Sequence, residues 1–134
     1  MTEPVLHLSI PVGDLAQART FYEEVLGCRV GRVRDTWLDV WFFGMQVTLQ
    51  ERPDEVRPAE EQGVRHLGVT LADEAAYHDV VDRLRGHGVT WLSGPTVTDA
   101  VDLSGKASVK VADPSGNVIE LKCYPEPSAL GADR

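Results

Sequence analysis

Apolar and polar positions alternate along Leu6-His7-Leu8-Ser9-Ile10, and again near mid-chain along Arg65-His66-Leu67-Gly68-Val69. A period of two is the mark of a strand with one face on a core. After each run the period lengthens to that of a helix. Over about 14–26, Leu15, Ala18, Phe21, Tyr22 and Val25 recur at helical spacing. Asp14 is placed to cap this helix and Gly27 to stop it. Over about 73–85, Ala76, Tyr77, Val80, Val81 and Leu84 form the stripe. Asp73 is the cap there, and Gly86 and Gly88 end the run. Strand-like runs follow in both halves, at about 29–33, 37–42 and 46–51, then at about 89–92, 107–112 and 118–124. Gly44-Met45-Gln46-Val47-Thr48-Leu49 matches Gly116-Asn117-Val118-Ile119-Glu120-Leu121, and Asp113-Pro114-Ser115-Gly116-Asn117 has strong turn chemistry.

The order is strand, helix and three strands, twice over, which predicts an α+β protein of two βαβββ modules. One domain over about 1–124 would hold modules at about 4–52 and 64–124. The Pro- and Glu-rich linker at about 53–63 is read as solvated, and the tail at 125–134 as frayed.

Charge narrows the partners. The 134 residues carry a formal net charge of −8, against a nucleic-acid partner, since phosphate contacts need a basic face. Neither a secretory signal nor an apolar run of membrane-spanning length is seen, so the cytoplasm is the expected compartment. Cys28 and Cys123 sit in apolar strand contexts and are expected as buried thiols, too few for a disulfide framework.

Parity assigns faces within each strand. Leu6, Leu8 and Ile10 should pack under a helix, as should Leu67, Val69 and Leu71, and Ile119, Leu121 and Cys123. His7, His66 and Glu120 then fall on the opposite face. Two imidazoles and one carboxylate on one side of an octahedral ion leave positions open for water, oxygen or substrate. Either histidine alone reads as an ordinary strand residue. Their repeat-equivalent positions favour one divalent metal ion, Fe2+ first, with Mn2+, Co2+, Ni2+ or Zn2+ also suited. Ser108 and Lys110 share the metal-facing parity; Lys110 would bind an anion or act as a base, or simply meet water at a rim. Lys122 is read as a strand-end surface residue, and His78 and His87 as surface residues. Trp37, Asp39 and Trp41 share a face, but a bulge in their hairpin would decide which one. Pocket, core and protomer interface stay open for them. Arg29, Arg32 and Arg34 read as a solvated basic strand.

The segments 6–12, 14–15, 21–27, 66–69 and 113–121 together resemble the vicinal-oxygen-chelate superfamily over about residues 4–124. That superfamily holds glyoxalase I, bleomycin-resistance proteins, fosfomycin-resistance thiol transferases, methylmalonyl-CoA epimerase and extradiol dioxygenases. Asp35-Thr36-Trp37-Leu38-Asp39-Val40-Trp41-Phe42-Phe43-Gly44 is most similar to a bacterial group described as predicted extradiol-type dioxygenases. The resemblance implies metal ligands at His7, His66 and Glu120, a small-molecule substrate and a homodimer. Thr48 stands where glyoxalase I enzymes carry a further metal-binding glutamate, which disfavours that activity; Gln50 shares its parity. Lys110 replaces the pocket tyrosine of the ring-cleaving enzymes. Ser9, Ser104 and Ser108 fit positions where thiol transferases place hydroxyl contacts. Extradiol-type dioxygenation is thus the first expectation. A thiol transferase, lyase or isomerase is the second, and a non-catalytic drug- or metabolite-binding protein the third. No catalytic residue is assigned.

Overall fold

The computed structural model describes residues 3–94, 105–126 and 130–131. Ser104 and residues 127–129 and 132–134 of the expected tail lie outside the described residues. The chain forms two compact units, Met1–Gly63 with the turn Asp113–Asn117, and Val64–Ala112 with Val118–Arg134.

The first unit contains β1 (His7–Val12), β2 (Arg29–Val33), β3 (Trp37–Phe42) and β4 (Met45–Glu51), in the order β1-β4-β3-β2. β1 runs parallel to β4, and the other pairs are antiparallel. Leu38, Val40, Phe42, Val47 and Leu49 make the buried face. Leu6, expected in the core, is instead 75% exposed, because it precedes His7, the first residue in register with β4.

The helical stretch of this unit changes pitch. Asp14 caps α1 (Leu15–Arg19) by accepting a hydrogen bond from the Gln17 backbone N–H at 2.8 Å. Glu51 accepts from the next orphan donor, the Leu15 N–H, at 2.9 Å. A π-helical segment, Thr20–Val25, follows, and Gly27 stops the chain at φ 77°. Apolar spacing predicts one continuous helix here; it cannot see the wider turn, in which the adjacent Phe21 and Tyr22 are both buried, edge to face at 5.2 Å.

The turn Asp113–Asn117 is built into this unit. Asp113 accepts from the Ser115 and Asn117 backbone N–H groups and from the buried Tyr22 hydroxyl at 2.8 Å. The Asn117 amide donates to the Pro11 carbonyl, and Ser115 accepts from the Gly13 N–H. Gly116 adopts φ 90°, and a Cβ there would strike the Arg57 carbonyl of the linker.

The second unit repeats the pattern with β5 (Leu67–Thr70), α2 (Glu74–Arg85), β6 (Thr90–Ser93), β7 (Ala107–Ala112) and β8 (Val118–Cys123), in the order β5-β8-β7-β6. Asp73 caps α2 through the Ala76 N–H at 2.8 Å. Tyr77, Val81 and Leu84 of α2 are buried, as are Leu67, Val109, Val111, Ile119, Leu121 and Cys123 of the strands. Both cysteines are buried and unlinked. No helix among the described residues is long and apolar enough to cross a membrane.

Candidate metal centre

Strand alternation puts Glu120 on the polar face of the second sheet, opposite Lys110 on β7 and Gly68 on β5. The carboxylate is nevertheless buried, at 5% exposure. Gly68 explains its depth. A Cβ at that position would collide with the Glu120 carbonyl, so only glycine lets β5 pass this close. Burial would raise the Glu120 pKa. The ammonium groups of Lys106 and Lys122, with hydrogen bonds from Lys106 and Ser108, outweigh burial and hold it below the ordinary value. The Lys106 ammonium stands 3.4 Å from Oε2.

His66 immediately precedes β5, and its Nε2 lies 3.3 Å from Glu120 Oε1. Its Nδ1 is 2.8 Å from the Val64 carbonyl oxygen. A carbonyl only accepts, so Nδ1 carries the hydrogen and, in the neutral ring, Nε2 presents a bare lone pair to the carboxylate. Two lone pairs facing at this distance repel unless a cation joins them. His66, Gly68, Val69, Thr70, Glu120 and Lys122 line a hollow of about 290 Å³ there.

The first sheet has the corresponding face. Ser9, Thr48 and Asp39 stand in one cross-strand row, His7, Gln46 and Trp41 in the next, and Pro11, Gln50 and Trp37 on the other side. This register places Trp37, Asp39 and Trp41 on the His7 face. Rows match between units: Ser9, Thr48 and Asp39 correspond to Gly68, Glu120 and Lys110. The acid of the first unit therefore sits one strand over. Asp39 is 1% exposed, and accepts from Thr48 Oγ1 at 2.7 Å and from Arg32 Nε at 2.6 Å. Burial would raise its pKa; hydrogen bonds from Arg32 and Thr48, with the charges of Arg32 and His7, bring it below the ordinary value. Gln50 donates to Ser9 Oγ at 2.6 Å beside a second hollow of about 260 Å³.

His66, Glu120, Ser108 and Lys110 thus gather in the second unit, and His7, Ser9, Thr48 and Gln50 in the first. Among the described residues, no three His, Cys, Asp or Glu side chains form a group able to hold one metal ion. His78 and His87 are exposed. The sequence gives no sign of Lys106, nor of the partners that Asp39 and Arg32 find. Lys106 precedes β7 behind Gly105 (φ 83°), where strand parity gives no direction. Asp39 shares a face with Trp37 and Trp41 in the sequence, but its bonds to Arg32 and Thr48 depend on how three strands pair. Arg29, Arg32 and Arg34 are exposed, as expected of a solvated basic strand, and all three guanidinium groups also lie over the rings of Trp37 or Trp41 at 5.0–5.6 Å.

Residues 5–121 match a family model described as the glyoxalase/bleomycin resistance protein/dioxygenase superfamily. The chain is 26% identical over 120 residues to virulence protein STM3117 of Salmonella typhimurium, covering 88% of this chain and 82% of that protein. A glyoxalase/bleomycin resistance protein/dioxygenase from Alicyclobacillus acidocaldarius superposes with a TM-score of 0.81 at 25% identity, over 95% of this chain and 96% of that one. The fosfomycin resistance protein FosX from Listeria monocytogenes shares the fold, with a TM-score of 0.73 at 15% identity over 97% and 100% of the two chains.

Proposed function

The chain belongs to the glyoxalase/bleomycin resistance protein/dioxygenase superfamily, and on that premise we propose that it is a metal-dependent enzyme in which His7, His66 and Glu120 hold one divalent ion for a small oxygen-chelating substrate. The opposed Nε2 and carboxylate of His66 and Glu120, 3.3 Å apart, carry this reading. Imidazole and carboxylate are the donors that Fe2+, Mn2+, Co2+, Ni2+ and Zn2+ accept together. The Nδ1–H bond to Val64 fixes the ring so that Nε2 keeps its aim. His7 enters as third ligand because it stands two residues before Ser9 in β1, as His66 stands two residues before Gly68, the matching position of β5.

When bound, the ion supplies Lewis acidity and open positions for two substrate oxygens. The chain's own residues do the rest. Lys106 and Ser108 keep Glu120 ionised and oriented. Ser9, Thr48, Gln50, Ser108 and Lys110 are the proposed substrate contacts. Extradiol-type dioxygenation with Fe2+ is the first reaction to test. Lys106 and Lys110 beside Glu120 suit a substrate with a developing negative charge, which favours transferase, lyase or isomerase chemistry as the second reading. The working form is proposed to be a cytoplasmic homodimer, which sedimentation equilibrium checks by a particle of twice the chain mass.

Elemental analysis of protein purified without added metal is the decisive measurement, because a proton on His66 is the competing cation. Near one ion per chain is expected, with severe loss in His66→Ala and Glu120→Ala and none in His78→Ala. Equal occupancy in His66→Ala and His78→Ala overturns the ligand assignment. A metal-free protein that binds an aromatic ligand would instead identify a drug- or metabolite-binding protein. Oxygen uptake with catechols after anaerobic Fe2+ loading separates the dioxygenase from the other enzymes.

A further inference from the structure

β2 does not keep its register. Arg29 pairs with Trp41 and Val30 with Val40, but the next pair is Val33 with Leu38. Gly31 and Arg32 therefore both stand opposite Asp39, a bulge of two residues against one. In an unbroken strand Arg32 would share the inward face of Val30. The extra residue turns it to the face of His7, Asp39 and the two tryptophans. Gly31 is the residue that permits this, since a Cβ there would come within 3.2 Å of Trp41 Nε1 and 3.3 Å of Asp39 Cβ.

Once turned, Arg32 is held from two sides. Its Nε donates to the buried Asp39 carboxylate, and its guanidinium carbon lies 5.0 Å from the Trp37 ring centre. Thr48 occupies the other oxygen of Asp39, so the acid cannot swing away. The terminal nitrogens of Arg32 donate to no protein group among the described residues, and the side chain is 59% exposed. A carboxylate that met the guanidinium fork would have used those nitrogens up. This one takes Nε alone and leaves the fork facing outward. Burying Asp39 costs desolvation, and a solvated arginine needs no such anchor. Arg29 and Arg34 stack beside it on Trp41 and Trp37, making the patch cationic in a chain of net charge −8.

We infer that Arg32 is an anion-receiving residue, held in place by Asp39, Thr48 and Trp37, and that it takes the carboxylate of a small organic ligand on its free fork. The inference goes beyond the proposed metal chemistry and does not need the metal.

The test follows the Arg32 Nε–H resonance and the affinity for benzoate, with benzamide as the uncharged control. Saturable benzoate binding that moves this resonance is expected, and benzamide should not reproduce it. Arg32→Met, a change at an exposed side chain, should weaken benzoate binding about tenfold or more. Arg32→Lys should not restore it, because an ammonium cannot present a planar fork. Asp39→Asn should weaken it several-fold. His66→Ala should lose metal yet keep benzoate binding, which separates failure of this inference from failure of the metal assignment. Equal benzoate affinity in Arg32→Met and wild type, binding that vanishes in His66→Ala alone, or no saturable binding would each overturn it.

Discussion

A single hydrogen atom in place of a methyl group decides how deep Glu120 sits. Gly68 has an ordinary strand backbone, so alanine there meets no torsional penalty, only the Glu120 carbonyl and Cβ. Gly68→Ala must therefore push β5 and β8 apart at the very residue proposed to bind metal. The expected cost is about 1–3 kcal/mol of stability, as for other overpacked sites, together with weaker metal retention, read by denaturant melts and elemental analysis of one preparation. Gly86→Ala, which meets nothing closer than 3.6 Å, is the matched control. The facing of Glu120 was legible in the sequence, because Ile119, Leu121 and Cys123 alternate cleanly around it. Its burial was not, because burial depends on what β5 lacks across the sheet.

At the scale of elements, the turn Asp113–Asn117 behaves as a clasp on the first unit. Its own turn chemistry was plain from Asp-Pro-Ser-Gly-Asn, but the partner of Asp113 was not, since Tyr22 lies 91 residues away. Tyr22→Phe keeps the ring and removes one donor from a buried acid, with an expected loss of about 1–3 kcal/mol. Burial raises the pKa of Asp113 despite its hydrogen bonds from Asn117, Tyr22 and Ser115. The folded state then holds a proton that the unfolded state has already released. Stability from this group is fully present below the unfolded pKa, whose ordinary value is 3.8, and declines as pH rises through the folded one. The stability advantage of wild type over Asp113→Asn should therefore narrow as pH rises through that window, in paired melts. The bulge in β2 shows the complementary limit. Strict alternation would have sent Arg32 inward, and only the pairing with β3 reveals where the extra residue enters.

Across the whole molecule, the duplication was the most legible feature, because repeated spacing survives where residue identities drift. Repeated spacing alone sets His7 against His66 and Thr48 against Glu120. It did not reveal that the first unit moves its acid to Asp39, since a displaced function leaves no trace in an alignment of halves. The proposed metal would bind the native chain far better than the unfolded one, so metal should raise the melting temperature. At a free concentration about 100 times Kd, the gain is about 2.7 kcal/mol. Scanning calorimetry with and without chelator should show this in wild type and not in Glu120→Ala.

The clasp on Tyr22 also sets an order of events during synthesis. The first unit draws one of its own loops from 91 residues beyond Tyr22, so the ribosome must deliver most of the second repeat before that unit is complete. Until then the phenol of Tyr22 is without its acceptor. A cut at the linker would part the first repeat from its clasp: an expressed fragment ending at Gly63 should fold poorly by itself and recover when a peptide spanning Asp113–Asn117 is supplied.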